Sequence, residues 1–80
     1  MMARVTVLYF ASLRDAAARD SEAVDHEGDL AALYSHLRER HGFALPIERV
    51  RVAMDGAFAD WRDCPRDGAE VAFIPPVSGG

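Results

Sequence analysis

The chain has 80 residues, which is enough for one small domain with a single modest core. Half of the residues are hydrophobic and 28% are charged, a composition typical of a folded globular protein and not of a disordered one. The net charge of −4 disfavours binding to nucleic acid or to an anionic membrane, and it favours a partner with a basic docking site.

Cysteine usage and the start of the chain indicate a soluble cytoplasmic protein. Cys64 is the only cysteine, so no intramolecular disulfide can form, and we expect it to be a half-buried residue and not a reactive thiol. No apolar run is long enough for a signal peptide or a membrane span. Lysine is absent, so the chain has no ε-amine that could attack an activated carboxyl group.

The first third of the chain predicts two strands with a short helix between them. Residues 4–10 are rich in β-branched and aromatic side chains and predict a strand. Ser12 is a candidate cap for a helix over residues 13–19, with Asp15 in its first turn. Residues 22–26 predict a weaker strand.

The clearest element is a helix over residues 29–41. Asp29 is the expected N-cap and Gly42 the expected stop. Apolar residues recur at the spacing of one helical face, at Leu30, Leu33, Tyr34 and Leu37.

The remaining residues predict three more strands. Residues 47–54 alternate apolar and charged side chains, and Asp55-Gly56 is a hairpin signal that leads into a short strand over residues 57–59. Trp61 opens an irregular stretch and is expected either to cover the core or to contact a partner. A turn at Asp67-Gly68 then precedes the last strand, residues 70–74.

This order of elements predicts an α+β fold of the β-grasp type. About five strands form a mixed sheet packed on one main helix, with the first and last strands central and parallel to each other. We expect residues 1–74 to form the domain and residues 75–80 to form an extended, flexible tail.

The tail is the most informative segment of the chain. Pro75 and Pro76 hold the exit from the last strand away from helical conformation. Gly79 and Gly80 have no side chains and fit a narrow channel. Six residues reach at most about 20 Å, which suffices to deliver a C-terminal carboxylate into a partner's active site.

The sequence contains no pattern typical of a catalytic centre. Serines lie in no recognisable nucleophile motif, no phosphate loop is present, and the histidines (His26, His36 and His41) lack metal-ligand spacing and are expected at the surface or at helix ends. The terminal carboxylate is ionised at neutral pH and is a poor electrophile. To react, it must be activated by an ATP-using partner, most naturally as an acyl-adenylate, so we expect neither a bound cofactor nor a metal.

Two segments resemble the sulfur-carrier (small) subunits of molybdopterin synthase, which are ubiquitin-like β-grasp proteins. Residues 7–15 (VLYFASLRD) support the resemblance, and residues 67–80 (DGAEVAFIPPVSGG) are specific for it. Two positions depart from the family pattern: Asp55 stands where Asn is usual, and Ala69 where Asp is usual. Neither lies in the tail.

The resemblance implies a mechanism and a set of partners. An adenylating enzyme related to those for ubiquitin would activate Gly80, and a sulfur donor would convert it to a thiocarboxylate. The tail would then enter the large synthase subunit, in a heterotetramer of two small and two large subunits, and give sulfur to cyclic pyranopterin monophosphate. Gly79 and the preceding tail residues, Pro75, Pro76, Val77 and Ser78, would contact the partner.

Ordering the tail costs roughly 1–2 kcal/mol per residue, so the domain itself must supply affinity. We therefore expect an apolar patch on the outer face of the sheet, formed by Phe10, Phe58 and Ile74, with Arg14 as a further contact. The alternative is that Phe10 and Phe58 belong to the core.

Other functions remain open at this stage. The chain is also compatible with a sulfur carrier for the thiazole of thiamine, with a protein modifier that forms isopeptide bonds to lysines, and with a ubiquitin-like interaction domain whose tail does no chemistry.

Overall fold

The computed structural model describes residues 2–76, and the tail residues Val77, Ser78, Gly79 and Gly80 lie outside this range. The described residues form a five-stranded sheet, two α-helices and one 3-10 turn. In chain order the elements are β1 (Ala3–Tyr9), α1 (Ala11–Ala17), β2 (Ser21–His26), α2 (Leu30–His41), the 3-10 turn (Ile47–Arg49), β3 (Arg51–Met54), β4 (Ala57–Phe58) and β5 (Glu70–Ile74).

The sheet has the predicted β-grasp topology. Its strand order is β2-β1-β5-β3-β4, with β1 and β5 parallel and the other pairs antiparallel. Val7 lies opposite Val71, and Tyr9 lies opposite Phe73. The last strand is therefore held on both sides, by β1 as far as Phe73 and by β3 as far as Ile74.

One face of the sheet packs on α2 and forms the core. Strand β1 alternates buried and exposed residues, as a strand with one covered face must. The predicted apolar stripe of α2 is confirmed, since all four of its residues are at most 1% exposed. The Tyr34 ring lies 5.2 Å from the Phe73 ring, which joins helix and sheet at the centre of the domain.

Both ends of α2 are capped as predicted. The side chain of Asp29 accepts a hydrogen bond from the Ala32 amide at 2.8 Å. The amides of Leu30 and Ala31 donate to the carbonyls of Asp63 and Trp61, so the loop after β4 also caps the helix. At the other end, Gly42 has φ +72°, and its amide donates to the Arg38 carbonyl at 2.8 Å.

The prediction for the first helix was wrong in its bounds and its cap. Helix α1 begins two residues earlier than expected, and its N-cap is Phe10, which makes no side-chain capping bond. Ser12 therefore lies inside the helix and does not cap it. The first turn of the helix contains no acidic residue, so Asp15 does not lie there. Phe10 continues the extended backbone of β1, so the strand runs directly into the helix.

The prediction of one strand over residues 47–54 was also wrong. Residues 47–49 form a 3-10 turn, closed by the Val50 amide donating to the Ile47 carbonyl at 3.1 Å. Ile47 and Val50 are three residues apart, which is the period of a 3-10 turn and not of a strand. The strand begins only at Arg51.

The hairpin predicted at Asp55-Gly56 is confirmed. Both residues have positive φ, +53° and +89°, as the tight turn between β3 and β4 requires. The Asp55 side chain also accepts the Glu70 amide at 2.9 Å, while the Asp55 amide donates to the Glu70 carbonyl at 2.8 Å. The turn is thereby fixed to the start of β5.

Three single-residue predictions have mixed outcomes. Trp61 covers the core, as one of its two expected roles required, because its ring stacks on Phe73 at 5.9 Å. Cys64 is exposed and not half-buried. His26 is buried, contrary to the surface position expected for it, and its Nε2 atom lies 2.9 Å from the carbonyl oxygen of Asp29.

Candidate docking site at the end of the last strand

A continuous row of apolar residues crosses the outer face of the sheet. Leu8 lies opposite Ala72, Ala72 lies opposite Ala53, and Ala53 lies opposite Phe58. We call these four residues the apolar row. Because side chains alternate along each strand, the row lies on the face that α2 does not cover.

Phe10 and Ile74 extend the apolar row toward the exit of the last strand. Each lies one residue beyond the inward-facing pair Tyr9 and Phe73, and therefore on the outer face. Phe10 has extended backbone angles, which preserve this alternation. The residues predicted to form the patch thus share one face, with Leu8, Ala53 and Ala72 between them.

Exposure decides between a surface patch and a core position. Phe10 is 45% exposed and Phe58 is 70% exposed, so the alternative that they belong to the core was wrong. Ile74 is half-buried. Two exposed aromatic side chains on one apolar sheet face make this face a candidate contact surface.

The chain leaves the sheet beside this surface. Pro75 is buried and Pro76 is exposed. Both line a groove of about 360 Å³ together with Ile74 and residues 48–51. The site residues Val77, Ser78, Gly79 and Gly80 lie outside the described residues, so their predicted roles stay predictions.

Arg14, the polar residue predicted to contact a partner, has a partner within the chain. Its Nε atom lies 3.7 Å from a carboxylate oxygen of Asp20, and both side chains are more than half exposed. Such surface ion pairs contribute at most about 1 kcal/mol, so the arginine is available to another carboxylate at little cost.

A polar cluster forms around Tyr9, the residue that precedes the exposed Phe10. The Tyr9 hydroxyl donates to Oε1 of Glu22 at 2.5 Å, and Nε2 of His41 lies 2.6 Å from the same oxygen. Arg19 lies 3.3 Å from the other carboxylate oxygen. A carboxylate can only accept hydrogen bonds, so all three neighbours act as donors.

The cluster shifts the pKa values of two of its members. Burial raises the pKa of the Glu22 carboxyl, but hydrogen bonds from Tyr9 and His41 outweigh it, and the net pKa is below the ordinary value. Burial, followed by the hydrogen bond to Glu22, raises the pKa of the Tyr9 phenol far above its ordinary value. The cluster therefore ties β1, β2 and the end of α2 together through one ionised carboxylate.

The sequence reasoning missed this cluster and the small members of the apolar row. Glu22 and His41 are 19 residues apart, and the strand pairing that brings β2 beside β1 gives no local sequence signal. Ala53 and Ala72 could have been found from the period-two alternation of their strands, because each lies two residues from another outward-facing residue, Arg51 and Ile74.

The described residues contain neither a metal-binding cluster nor a membrane-spanning helix. Between residues 2 and 76, no group of three or more His, Cys, Asp or Glu side chains is arranged to hold a metal ion. In the same range, neither helix is long and apolar enough to cross a membrane.

The central parallel pair β1–β5, the single covering helix and the hairpin at the sheet edge define a ubiquitin-like β-grasp domain. Sequence comparison places the domain more narrowly. The model of the ThiS family matches residues 7–80, and the chain belongs to this family.

Individual relatives agree with this placement. The chain is 34% identical to the molybdopterin synthase sulfur carrier subunit of Mycobacterium tuberculosis, over 99% of this chain and 100% of the relative. A crystal structure of SAMP1 from Haloferax volcanii superposes with a TM-score of 0.79 at 26% identity, covering 98% of this chain and 100% of that one. In a complex of subunits 1 and 2 of molybdopterin-converting factor from Helicobacter pylori, one chain superposes with a TM-score of 0.67 at 25% identity, over the whole of both chains.

Proposed function

We propose that this chain is the sulfur carrier subunit of a molybdopterin synthase and that it carries sulfur as a thiocarboxylate on Gly80. The observation that carries the proposal is the full-length similarity to a protein of that name, which includes the Gly-Gly end within the family match. The fold supports it, because a centrally held β5 leads directly through Pro75 and Pro76 toward that end.

The chemistry begins at an unreactive group. The Gly80 carboxylate is ionised at neutral pH, since α-carboxyl groups have pKa values near about 3.3–3.7. An adenylating enzyme related to those that activate ubiquitin joins it to AMP from ATP and releases pyrophosphate. A donor of sulfide-level sulfur then displaces AMP and leaves the thiocarboxylate.

The acceptor is cyclic pyranopterin monophosphate, bound in the large subunit. The thiocarboxylate sulfur bonds to the pterin, and hydrolysis of the resulting thioester by water frees the sulfur on the pterin and regenerates the Gly80 carboxylate, which can be activated again. Two such deliveries make the dithiolene that binds molybdenum. In this scheme the chain supplies the reacting terminus and no catalytic side chain, so it is the non-catalytic subunit of the complex.

Docking of the domain supplies the affinity that the tail lacks. The apolar row, with Phe10 and Ile74, offers apolar surface that a partner can bury at about 25 cal/mol per Å². Because the tail leaves the sheet beside this surface, a partner bound there lies within reach of the terminal carboxylate, which extends at most about 20 Å from Pro75.

The large synthase subunit is the partner best supported. The related chain from Helicobacter pylori is one subunit of a two-subunit molybdopterin-converting factor. We infer that the present chain pairs with a corresponding large subunit, in a heterotetramer with two copies of each.

The test is the intact mass of the protein after incubation with ATP, a matched adenylating enzyme and a sulfur donor. A shift equal to one oxygen replaced by one sulfur is expected for the wild-type chain, and none for a variant that lacks Gly80. A wild-type chain that is adenylated but never acquires sulfur would contradict the proposal. Conversion of pyranopterin monophosphate on addition of the large subunit then tests the acceptor.

A second candidate function is protein modification, which the similarity to a small archaeal modifier protein favours. In that case Gly80 would form an amide with a lysine of another protein. The same incubation with a cell extract separates the two functions. A modifier gives covalent adducts that resist thiol and hydroxylamine treatment, whereas a sulfur carrier gives only the thiocarboxylate.

A further inference from the structure

The groove where the chain leaves the sheet is lined by charged residues as well as by the two prolines. Arg49, in the 3-10 turn, and Arg51, the first residue of β3, both line it and are both exposed. Glu48 lies in the same wall. Arg51 pairs with Ile74, the last residue of β5, and Arg49 lines the same groove as Ile74.

Within residues 2–76, no acidic side chain neutralises either arginine. No carboxylate among residues 2–76 lies within 4.0 Å of the guanidinium group of Arg49 or Arg51. Several other arginines do have such a partner, namely Arg4, Arg14, Arg19, Arg62 and Arg66. Acids outnumber arginines thirteen to nine in this chain, so a shortage of carboxylates does not explain the difference.

Arg51 is also joined to the apolar row. Its guanidinium carbon lies 5.6 Å from the centre of the Phe58 ring, a cation–π contact that holds the charge against the outer face. A guanidinium stacked in this way keeps its N–H edge free to bind a carboxylate through two parallel hydrogen bonds. The charge and the apolar surface therefore form one continuous contact area.

We propose that Arg49 and Arg51 form a cationic rim of the docking site, and that the large subunit meets this rim with carboxylate side chains. The inference rests on the proposed function and specifies the chemistry of the partner's surface. It reverses the expectation drawn from composition, because the net charge of −4 predicts a basic partner, whereas the surface beside the tail presents unpaired positive charge.

A protein carboxylate fits this rim better than a phosphate group does. The groove is open, and Glu48 adds a negative charge to its wall, which repels a dianion more strongly than a single carboxylate. Carboxylates at the edge of an interface raise the association rate and fix the orientation of the partners. That orientation matters here, because the tail must enter the partner's active site.

The experiment measures the affinity of the full-length chain for the purified large subunit at low and at high salt. Arg49→Glu and Arg51→Glu are each expected to weaken binding about tenfold at low salt and to flatten its salt dependence. Arg40→Glu is the matched control, since it changes the net charge equally on the exposed part of α2, across the sheet from the docking site. We expect that variant to bind within about twofold of wild type.

Arg51→Gln removes the positive charge without introducing a negative one. Thermal unfolding of each variant checks that its fold is retained. Equal binding by the Arg49, Arg51 and Arg40 variants would overturn the inference while leaving the proposed function intact. So would a defect confined to adenylation, which would assign the rim to the adenylating enzyme. If wild-type protein does not bind the large subunit at all, the proposed function is contradicted, and so is the inference about the cationic rim.

Discussion

Tyr9 and Phe10 are consecutive residues with opposite environments: Tyr9 is 2% exposed beneath the sheet, and Phe10 is 45% exposed above it. Tyr9 donates its hydroxyl to the buried Glu22, whereas Phe10 belongs to the surface beside the tail. The alternation of extended backbone thus places a buried structural residue and an exposed apolar residue side by side.

Replacing Phe10 or Phe58 by Asp should weaken partner binding and leave the fold intact. Each substitution puts a charge into the apolar contact surface, and neither removes a side chain that packs in the core. Isothermal titration against the large subunit measures the loss, which we expect to be at least about tenfold. Phe73→Ala is the contrasting variant, because it empties a fully buried position and should destabilise the domain by about 3–5 kcal/mol. Unfolding of the Phe10 variant would show that this residue is structural after all.

Glu22→Gln should reduce the dependence of stability on acidic pH. The folded-state pKa of Glu22 lies below its ordinary value, so its carboxylate stabilises the fold above about pH 4.3, and this contribution is lost as the pH falls further. Urea unfolding should show that, as the pH falls below about pH 4.3, the free energy of unfolding decreases more steeply for wild type than for the variant. Asp25→Asn is the control, because the Asp25 side chain is 54% exposed in its pair with Arg4. An identical slope for wild type and the Glu22 variant would contradict this account of the cluster.

In alkaline solution, the two buried tyrosines should make the stability fall as the pH rises. The folded-state pKa of Tyr9 is raised, chiefly by burial, and burial raises that of Tyr34 as well. The unfolded chain therefore loses these protons first, and stability falls above about pH 10 by up to about 1.4 kcal/mol per pH unit for each tyrosine. Tyr9→Phe should remove the contribution of Tyr9 to this loss of stability, measured by urea unfolding between about pH 9 and about pH 11. Tyr34→Phe should remove a similar share, and an unchanged slope in both variants would refute the prediction.

The presence of Asp at position 55, where the family usually has Asn, should have little effect on the stability of the fold. Its Oδ1 atom accepts the Glu70 amide, and the amide oxygen of Asn can accept the same hydrogen bond with positive φ retained. We expect Asp55→Asn to change the free energy of unfolding by less than about 0.5 kcal/mol. Asp55→Ala loses the acceptor and strains the turn, and should cost about 1–2 kcal/mol. Thermal unfolding of the pair distinguishes loss of the hydrogen bond from loss of charge.

Most of the fold followed from local patterns in the sequence. The stripe and caps of α2, the turn at Asp55-Gly56 and the apolar β5 each combine periodicity with a definite end signal, and all were predicted correctly. Helix α1 was misplaced because Ser12 is a good cap by type, yet the extended Phe10 passes straight into the helix without a side-chain cap. The segment after Pro46 was misread because charged residues separate its apolar side chains, which mimics the alternation of a strand.

The shared outer face of Phe10 and Phe58 could be predicted, because Phe58 lies on a strand and Phe10 directly follows one. Alternation places the Phe10 side chain on the face opposite to that of Tyr9. The cationic rim could not be predicted, since it depends on the distance from Arg49 and Arg51 to every carboxylate of the fold. The net charge does not show where individual charges lie. Here the net charge is negative, whereas the groove beside β5 carries two exposed arginines.

The parallel pairing of β1 and β5 has a mechanical consequence. Parallel neighbours begin at the same end of the sheet, so the start of β1 and the end of β5 lie at opposite ends of the domain. A pull on the tail against the N-terminus therefore loads the β1–β5 ladder in shear, along the strands, and all of its hydrogen bonds share the force. This geometry opposes unravelling of the domain from its C-terminal end.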